Sequence, residues 1–414
     1  MRTIPLGSQT FSKSKVALPH GVSPYFVARA EGSRFWDIDG NEYLDFVNGL
    51  ACVTLGYRDP DVDAAVRRQM EIGVTFSLPH QLEMEVAEML VAMIPCADKI
   101  RFGKNGTDAT SGAIRLARAY TGRDRVAVCG YHGWQDWYIG STTRDLGVPA
   151  QVKSLTHTFS YNDPLSLQRV LETHPGEFAA VILEPMNVAF PQDGFLEKVK
   201  ALTHLHGALL VFDETITGFR LARGGAQELF GVTPDLATFG KGLANGYPLS
   251  VLCGRAELMD VIEKIFFSGT FGGETLSLAA AKAVLVKIQR EPVIETLNVR
   301  GQKLFEGVSR LISDLAMPHV LGISGHPSWS FLQFKDVPPH TSYQTRTLFL
   351  QEVFKRGIFT LGAHALSYAH TDADIDHLLS QYREVFSLLK KAVAQENLKN
   401  WLECEPLVPL FKVR

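Results

Sequence analysis

From about residue 60 to about residue 300 the chain alternates short apolar runs with longer stretches of helical periodicity. The runs are Arg125–Val128, Ala179–Leu183, Ala208–Phe212, Leu236–Phe239 and Leu249–Leu252. Each is too short for a helix and none alternates with polar residues, which is the pattern of strands covered on both faces. Helical stretches between such strands predict an α/β domain with a mostly parallel sheet. The stretch from Asp108 to Tyr120 places Ala109, Ala113, Leu116, Ala117 and Tyr120 on one helical face, and Gly122 follows as a stop.

The flanks read differently. Residues 1–30 are polar, Ser- and Lys-rich at the start, and predict no regular element. Arg34–Asn41 predicts a strand and an Asp-Gly-Asn turn, with a second strand through Tyr43–Phe46. Beyond residue 300, Ser328–Phe334 alternates as a strand, Thr345–Arg356 predicts a helix stopped by Gly357, and Asp372–Val393 predicts a long amphipathic helix with Thr371 as its N-cap. The expected organisation is a large domain over 61–300 and a smaller α+β domain assembled from 1–60 and 301–414.

Composition narrows the function classes. Of 414 residues, 46% are hydrophobic and 21% charged, as in an ordinary globular chain. A formal net charge of −3 gives no reason to expect a nucleic-acid or anionic-membrane partner. The five cysteines (Cys52, Cys96, Cys129, Cys253, Cys404) are scattered without a C-x-x-C pair, which argues for a reducing compartment and against a disulfide framework or a metal site. The start Met1–Pro5 lacks an apolar signal segment, and no apolar run reaches the roughly 18 residues that span a bilayer. A cytoplasmic enzyme is the expectation.

Candidate chemistry gathers at the ends of the apolar runs. Lys104–Asp108 precedes a helix, so Gly106 and Thr107 fit a phosphate cradle at a helix N-terminus; an ordinary capped helix start fits the same residues. Tyr131 follows the Arg125–Val128 run and is placed to stack on a flat ring, or to pack on the sheet. His132 beside it suits either a ligand contact or the orientation of a loop. Glu184 ends another run, as a ligand group or as a hydrogen-bond partner for a loop. Asp213 and Glu214 end a third, and only one of two successive strand residues can face a given side. Lys241, between Gly240 and Gly242, follows a fourth. A lysine and an aspartate at neighbouring strand ends suit pyridoxal phosphate, the lysine as Schiff-base partner and the aspartate as partner of the ring nitrogen.

The runs Asp213–Arg220 and Pro234–Gly242 resemble the signature of the class III pyridoxal-phosphate aminotransferases, in particular the glutamate-1-semialdehyde aminomutase branch. Trp36–Gly40, Asn105–Ala109, Tyr131–Gly133 and Ala369–Thr371 support the likeness, which spans nearly the whole chain. The resemblance implies fold type I, a homodimer with shared active sites, and catalysis by Lys241 and Asp213. It also implies a phosphate contact from Ser268–Thr270, with Thr270 reaching in from the partner subunit. Two departures stand out. The aminomutases carry a gating glutamate ahead of Ala369–Thr371, where Phe359–Leu366 is shorter here and has no carboxylate. They also place an arginine near the N-terminus, and Gly7–Lys13 has none. The reading is therefore an aminotransferase that moves an amino group from a small-molecule donor, such as glutamate, to a carbonyl acceptor, such as a sugar or an unusual keto compound. The alternatives are the aminomutase itself and a cofactor-binding protein without turnover.

Overall fold

The computed structural model describes residues 2–395 and 397–409. The chain forms two compact units, one of residues 2–59 with 295–409 and one of Pro60–Ile294.

The Pro60–Ile294 unit is built on a seven-stranded sheet. Its strands are β1 (Lys99–Gly103), β2 (Arg125–Cys129), β3 (Thr156–Thr158), β4 (Phe178–Leu183), β5 (Leu209–Asp213), β6 (Leu236–Phe239) and β7 (Ser250–Gly254), in the order β1-β7-β6-β5-β4-β2-β3. The pairs β3–β2, β2–β4, β4–β5 and β5–β6 are parallel, whereas β7 is antiparallel to both β6 and β1. The apolar runs lack alternation because each face has its own cover. Val126, Val128, Ile182 and Val211 face one core with Ala109, Ala113, Leu116 and Ala117. Ala127, Val181, Leu210 and Phe212 face the other, with Leu167, Leu171, Phe195 and Val199. The helix carrying the alanine face is α1 (Gly106–Thr121), capped by Asn105 and ended by Gly122 at φ 67°.

Two strands of this sheet escape the sequence reading. Lys99–Gly103 is an edge strand of alternating exposure with charged residues, and Thr156–Thr158 is too short to show a period. β1 matters to the site. Since β7 is antiparallel to both of its neighbours, β1 runs the same way as the five parallel strands, and Gly103 ends at their carboxyl edge.

The other unit carries a four-stranded sheet of Val27–Glu31, Arg34–Asp37, Glu42–Asp45 and Ile358–Phe359. It also carries a three-stranded sheet of Leu321–His326, Trp329–Phe334 and Ala363–Ala365. Val27–Glu31 corrects the expectation that residues 1–30 are irregular. It is a sheet-edge strand with mostly exposed side chains, so it has no hydrophobic period to read; the Arg29 guanidinium lies 3.5 Å over the Trp36 ring. The helices α2 (Ser342–Phe354) and α3 (Asp372–Val393) each start in a capping box, Thr341 with Gln344 and Thr371 with Asp374. The first starts three residues before its expected position, because Thr341 supplies the cap. No helix among the described residues is long and apolar enough to cross a membrane.

Two histidines are sealed in this unit. His364 bonds the Ser330 hydroxyl at 3.0 Å and the Tyr382 hydroxyl at 2.8 Å, and His370 Nδ1 accepts from the Ser367 amide at 3.1 Å. Burial pushes both imidazoles down, to about 3 for His364 and to about 4 for His370. Unfolded, each takes up a proton near pH 6.5. Below that pH the unfolded chain binds more protons, so the stability these histidines contribute is complete above pH 6.5 and lost as the pH falls toward their folded values. Between pH 7 and pH 4.5 the loss is about 2 kcal/mol per histidine, and His364→Gln should remove roughly half of it. Urea midpoints measured across that range check this; the same pH dependence in variant and wild type would contradict it.

Candidate active site

Parallel strands deliver the residues that follow them to one edge. Gly106 and Thr107 follow β1, Tyr131 and His132 follow β2, Glu184 follows β4, Asp213 ends β5 and Lys241 lies two residues past β6. All seven therefore stand along the carboxyl edge of the sheet.

Asp213 is the most constrained of them. It is 4% exposed. Its Oδ2 lies 2.8 Å from His132 Nδ1, and its Oδ1 accepts from the Thr215 amide at 3.1 Å, the Thr215 hydroxyl at 2.6 Å and the Thr238 hydroxyl at 3.1 Å. Burial alone would raise its pKa. The hydrogen bond and charge of His132 and the bonds from Thr215 overcome that and hold it below the usual carboxylate value. The carboxylate is thus kept ionised inside the protein. His132 is itself buried, with Nε2 at 3.2 Å from the Cys129 carbonyl, so both ring nitrogens face acceptors.

Glu214 points the other way, as strand alternation requires. Its carboxylate accepts from the Thr217 hydroxyl and from the Ala226 and Gln227 amides at 2.6, 2.6 and 2.9 Å. It ties the loop after β5 to the next helix. Glu184 accepts from the Tyr131 amide and from Asn187 Nδ2, each at 2.9 Å. Burial, then the charge of Asp213, push its carboxyl up. The two buried carboxylates are driven apart in pKa, one down and one up.

Tyr131 is half-exposed, its ring edge-on to Tyr138 at 5.5 Å. Burial, and the charges of Asp213 and Glu184, raise its phenol pKa. Lys241 sits in a tight turn over Lys241–Ala244 with φ 42° in the left-handed region, a conformation that costs a non-glycine residue free energy and that gathers at functional sites.

Thr215 escaped the sequence reading. Besides holding Asp213, its methyl group crowds the space where a Cβ on Gly106 would sit, at 3.0 Å, and would touch one on Gly240, at 3.4 Å. It is wedged between the start of α1, Asp213 and the lysine turn. A threonine two residues after a strand-end aspartate is a hydrogen-bonding pattern readable in principle from the sequence. Thr238, opposite Asp213 in register, was hidden inside an apolar run.

A phosphate-bearing ring cofactor fits this edge on one specific observation. The Thr107 hydroxyl is buried and has no hydrogen-bond partner, and it stands in the first turn of α1, where backbone N–H groups favour an anion. The Ser250 hydroxyl at the start of β7 is likewise buried without a partner. Thr270 is not gathered with this group. It is exposed, on a cavity of 350 Å³ lined by Phe102, Lys104 and Phe271 among others.

A family model described as aminotransferase class-III matches residues 16–370. A 3-aminobutyryl-CoA aminotransferase of Cloacimonas acidaminovorans is 33% identical over 404 residues, covering 92% of this chain and 96% of that one. A glutamate-1-semialdehyde 2,1-aminomutase of Methanosarcina acetivorans is 34% identical over 421 residues, covering 92% and 98%. Among solved structures, the PLP internal aldimine form of the Sphingopyxis FumI protein superposes with a TM-score of 0.88 at 32% identity, covering 98% of this chain and 96% of that one. An omega-transaminase of Sphaerobacter thermophilus gives 0.84 at 28% identity, covering 94% and 95%.

Gly133 follows His132 at φ 107°, and a Cβ there would overlap the Thr107 hydroxyl. Gly133→Ala should therefore cost about 2 kcal/mol through backbone strain and displacement of α1. Thermal unfolding checks this, and a midpoint within a degree or so of wild type would contradict it.

Proposed function

We propose, on the premise that this chain belongs to the class III aminotransferases of pyridoxal-phosphate fold type I, that it moves an amino group from a donor amino acid such as glutamate to a separate carbonyl acceptor. The observation that carries the reading is the buried Asp213–His132 pair at the end of β5, beside the strand that leads to Lys241.

When bound, pyridoxal phosphate supplies an aldehyde that condenses with amines and a ring that takes up the electrons left when a proton departs from the amine-bearing carbon. The chain's residues do the rest. The Lys241 Nζ would hold the cofactor, and as a free amine it would take the proton from the donor's carbon and return one to the acceptor's carbon. Asp213, ionised at rest, would accept a hydrogen bond from the ring nitrogen and favour its protonated form. His132, Thr215 and Thr238 fix the orientation of Asp213. Tyr131 would lie against the ring face, with Glu184 holding its backbone. The first-turn amides at Gly106 and the Thr107 hydroxyl would receive the phosphate.

Thr270 completes the phosphate contact from a second subunit in this reading. Phe266 and Phe271, near it in sequence, are 82% and 59% exposed, which supports a partner surface at this loop. The acceptor class follows the relatives more than the residues. One relative is named for a 3-amino compound and one solved structure for omega-transamination, which supports a reacting carbon other than the α-carbon of an amino acid, as in a sugar or an unusual keto compound. A cytoplasmic location accords with the scattered free thiols.

The aminomutase reading has support in relatives of that name at 34% identity. Against it stands the segment from Phe359 to Leu366. It turns tightly, with the Thr360 hydroxyl bonded to the Ala363 carbonyl at 2.8 Å, and offers no carboxylate to gate a retained intermediate. Supplied with glutamate-1-semialdehyde alone, the enzyme should not sustain 5-aminolevulinate formation, and turnover should follow ping-pong kinetics with two substrates. Rapid, sustained product without a second substrate would make it an aminomutase. Asp213→Asn should keep bound cofactor yet lose about a hundredfold or more in kcat, since an amide does not stabilise a positive ring nitrogen as a carboxylate does. Near-wild-type kcat in that variant would remove Asp213 from this role.

A further inference from the structure

The unit of residues 2–59 and 295–409 has a cavity of 410 Å³, lined by Phe331, Gln333, Phe334, Tyr343, Arg346 and Leu361 among others. That volume lies within the about 300–1,000 Å³ of small-molecule sites. Arg346 projects from the second turn of α2, half-buried, and its Nη2 donates to the Leu361 carbonyl at 3.0 Å. No carboxylate among the described residues pairs with its guanidinium. Burial presses its pKa down, yet an arginine keeps its charge. A partly desolvated cation without a counter-charge is costly, and one bond to a neutral carbonyl does not offset it. The remaining N–H donors form a planar fork suited to the two oxygens of a carboxylate or phosphate. Phe331, Phe334 and Tyr343 supply apolar walls, and the Gln333 amide lies at the rim, exposed, with its Nε2 on the Ser324 hydroxyl at 2.8 Å. The nearest acids along the chain on either side are committed elsewhere, Glu352 to Arg356 at 2.8 Å and Lys355 at 3.2 Å and Asp336 to the Ser342 amide at 2.6 Å, and neither lines the cavity.

We infer that this cavity binds a small organic anion, a carboxylate or phosphate carried on an apolar body, with Arg346 as its counter-charge. The bound anion lies against Leu361–Ala363, the short turn whose glycine, Gly362, sits at φ 82°. An anion on Arg346 therefore competes with the bond that pins this turn. The anionic group belongs either to a substrate or to a separate effector, and the inference holds for both. It does not depend on the role of Lys241.

Calorimetry on the cofactor-loaded enzyme tests it with phenyl phosphate, benzoate and the uncharged benzyl alcohol. Both anions should bind and benzyl alcohol should not. Arg346→Gln should weaken the anions by about tenfold or more. Gln333→Glu, at an exposed position, should weaken them similarly by charge repulsion and keeps the test open if the arginine variant does not fold. In turnover assays, competition with the acceptor assigns the anion to a substrate, and a changed kcat without competition assigns it to an effector. Failure of both anions to bind wild type, or undiminished binding in the folded variants, would overturn the inference.

Discussion

The structure of the Pro60–Ile294 unit turns on keeping one carboxylate charged away from water. Asp213 lies at the end of a strand packed on both faces, where an isolated charge would take up a proton. His132 from the end of β2, Thr215 from the following loop and Thr238 from β6 all converge on its two oxygens. Those partners come from three separate strand ends, so the ionised state of Asp213 requires β2, β5 and β6 to be correctly registered. The same bonds fix where its remaining lone pair can be offered.

The surroundings obey that constraint. The central strands β2, β4 and β5 are packed by apolar residues on both faces. Thr215 packs its methyl group against the positions of Gly106 and Gly240, so the anion-favouring start of α1, the aspartate and the lysine turn share one spacer. A side chain at Gly106 would press on Thr215. Glu214, one residue further, has the opposite duty of closing a loop with its backbone bonds. Adjacent carboxylates thus divide into one directed at the edge and one directed at the scaffold.

Much of this was legible in the sequence, for physical reasons. The central strands are continuous apolar runs because both faces are covered, and such runs can be counted without any structure. The helices α1 and α3 announce themselves through a 3.6-residue period and through Gly122 and Thr371 at their ends. The positions of Asp213 and Lys241 at strand ends follow from the same runs. What was hidden lies at edges. Lys99–Gly103, Thr156–Thr158 and Val27–Glu31 bury too little to carry a hydrophobic period, and they owe their pairing to neighbours far away in sequence. Thr238 was unreadable for a related reason: its partner is set by register, and register is a property of the assembled sheet, whereas Thr215 lies only two residues past Asp213 and its bond is local.

The central claim is that Lys241 is the amine that anchors pyridoxal phosphate beside Asp213. The most direct measurement is borohydride reduction of the cofactor-loaded enzyme followed by peptide mapping. The account predicts that the reduced cofactor is found on Lys241 and that Lys241→Ala carries none. A label on another residue, such as Lys104 near the start of α1, would contradict it.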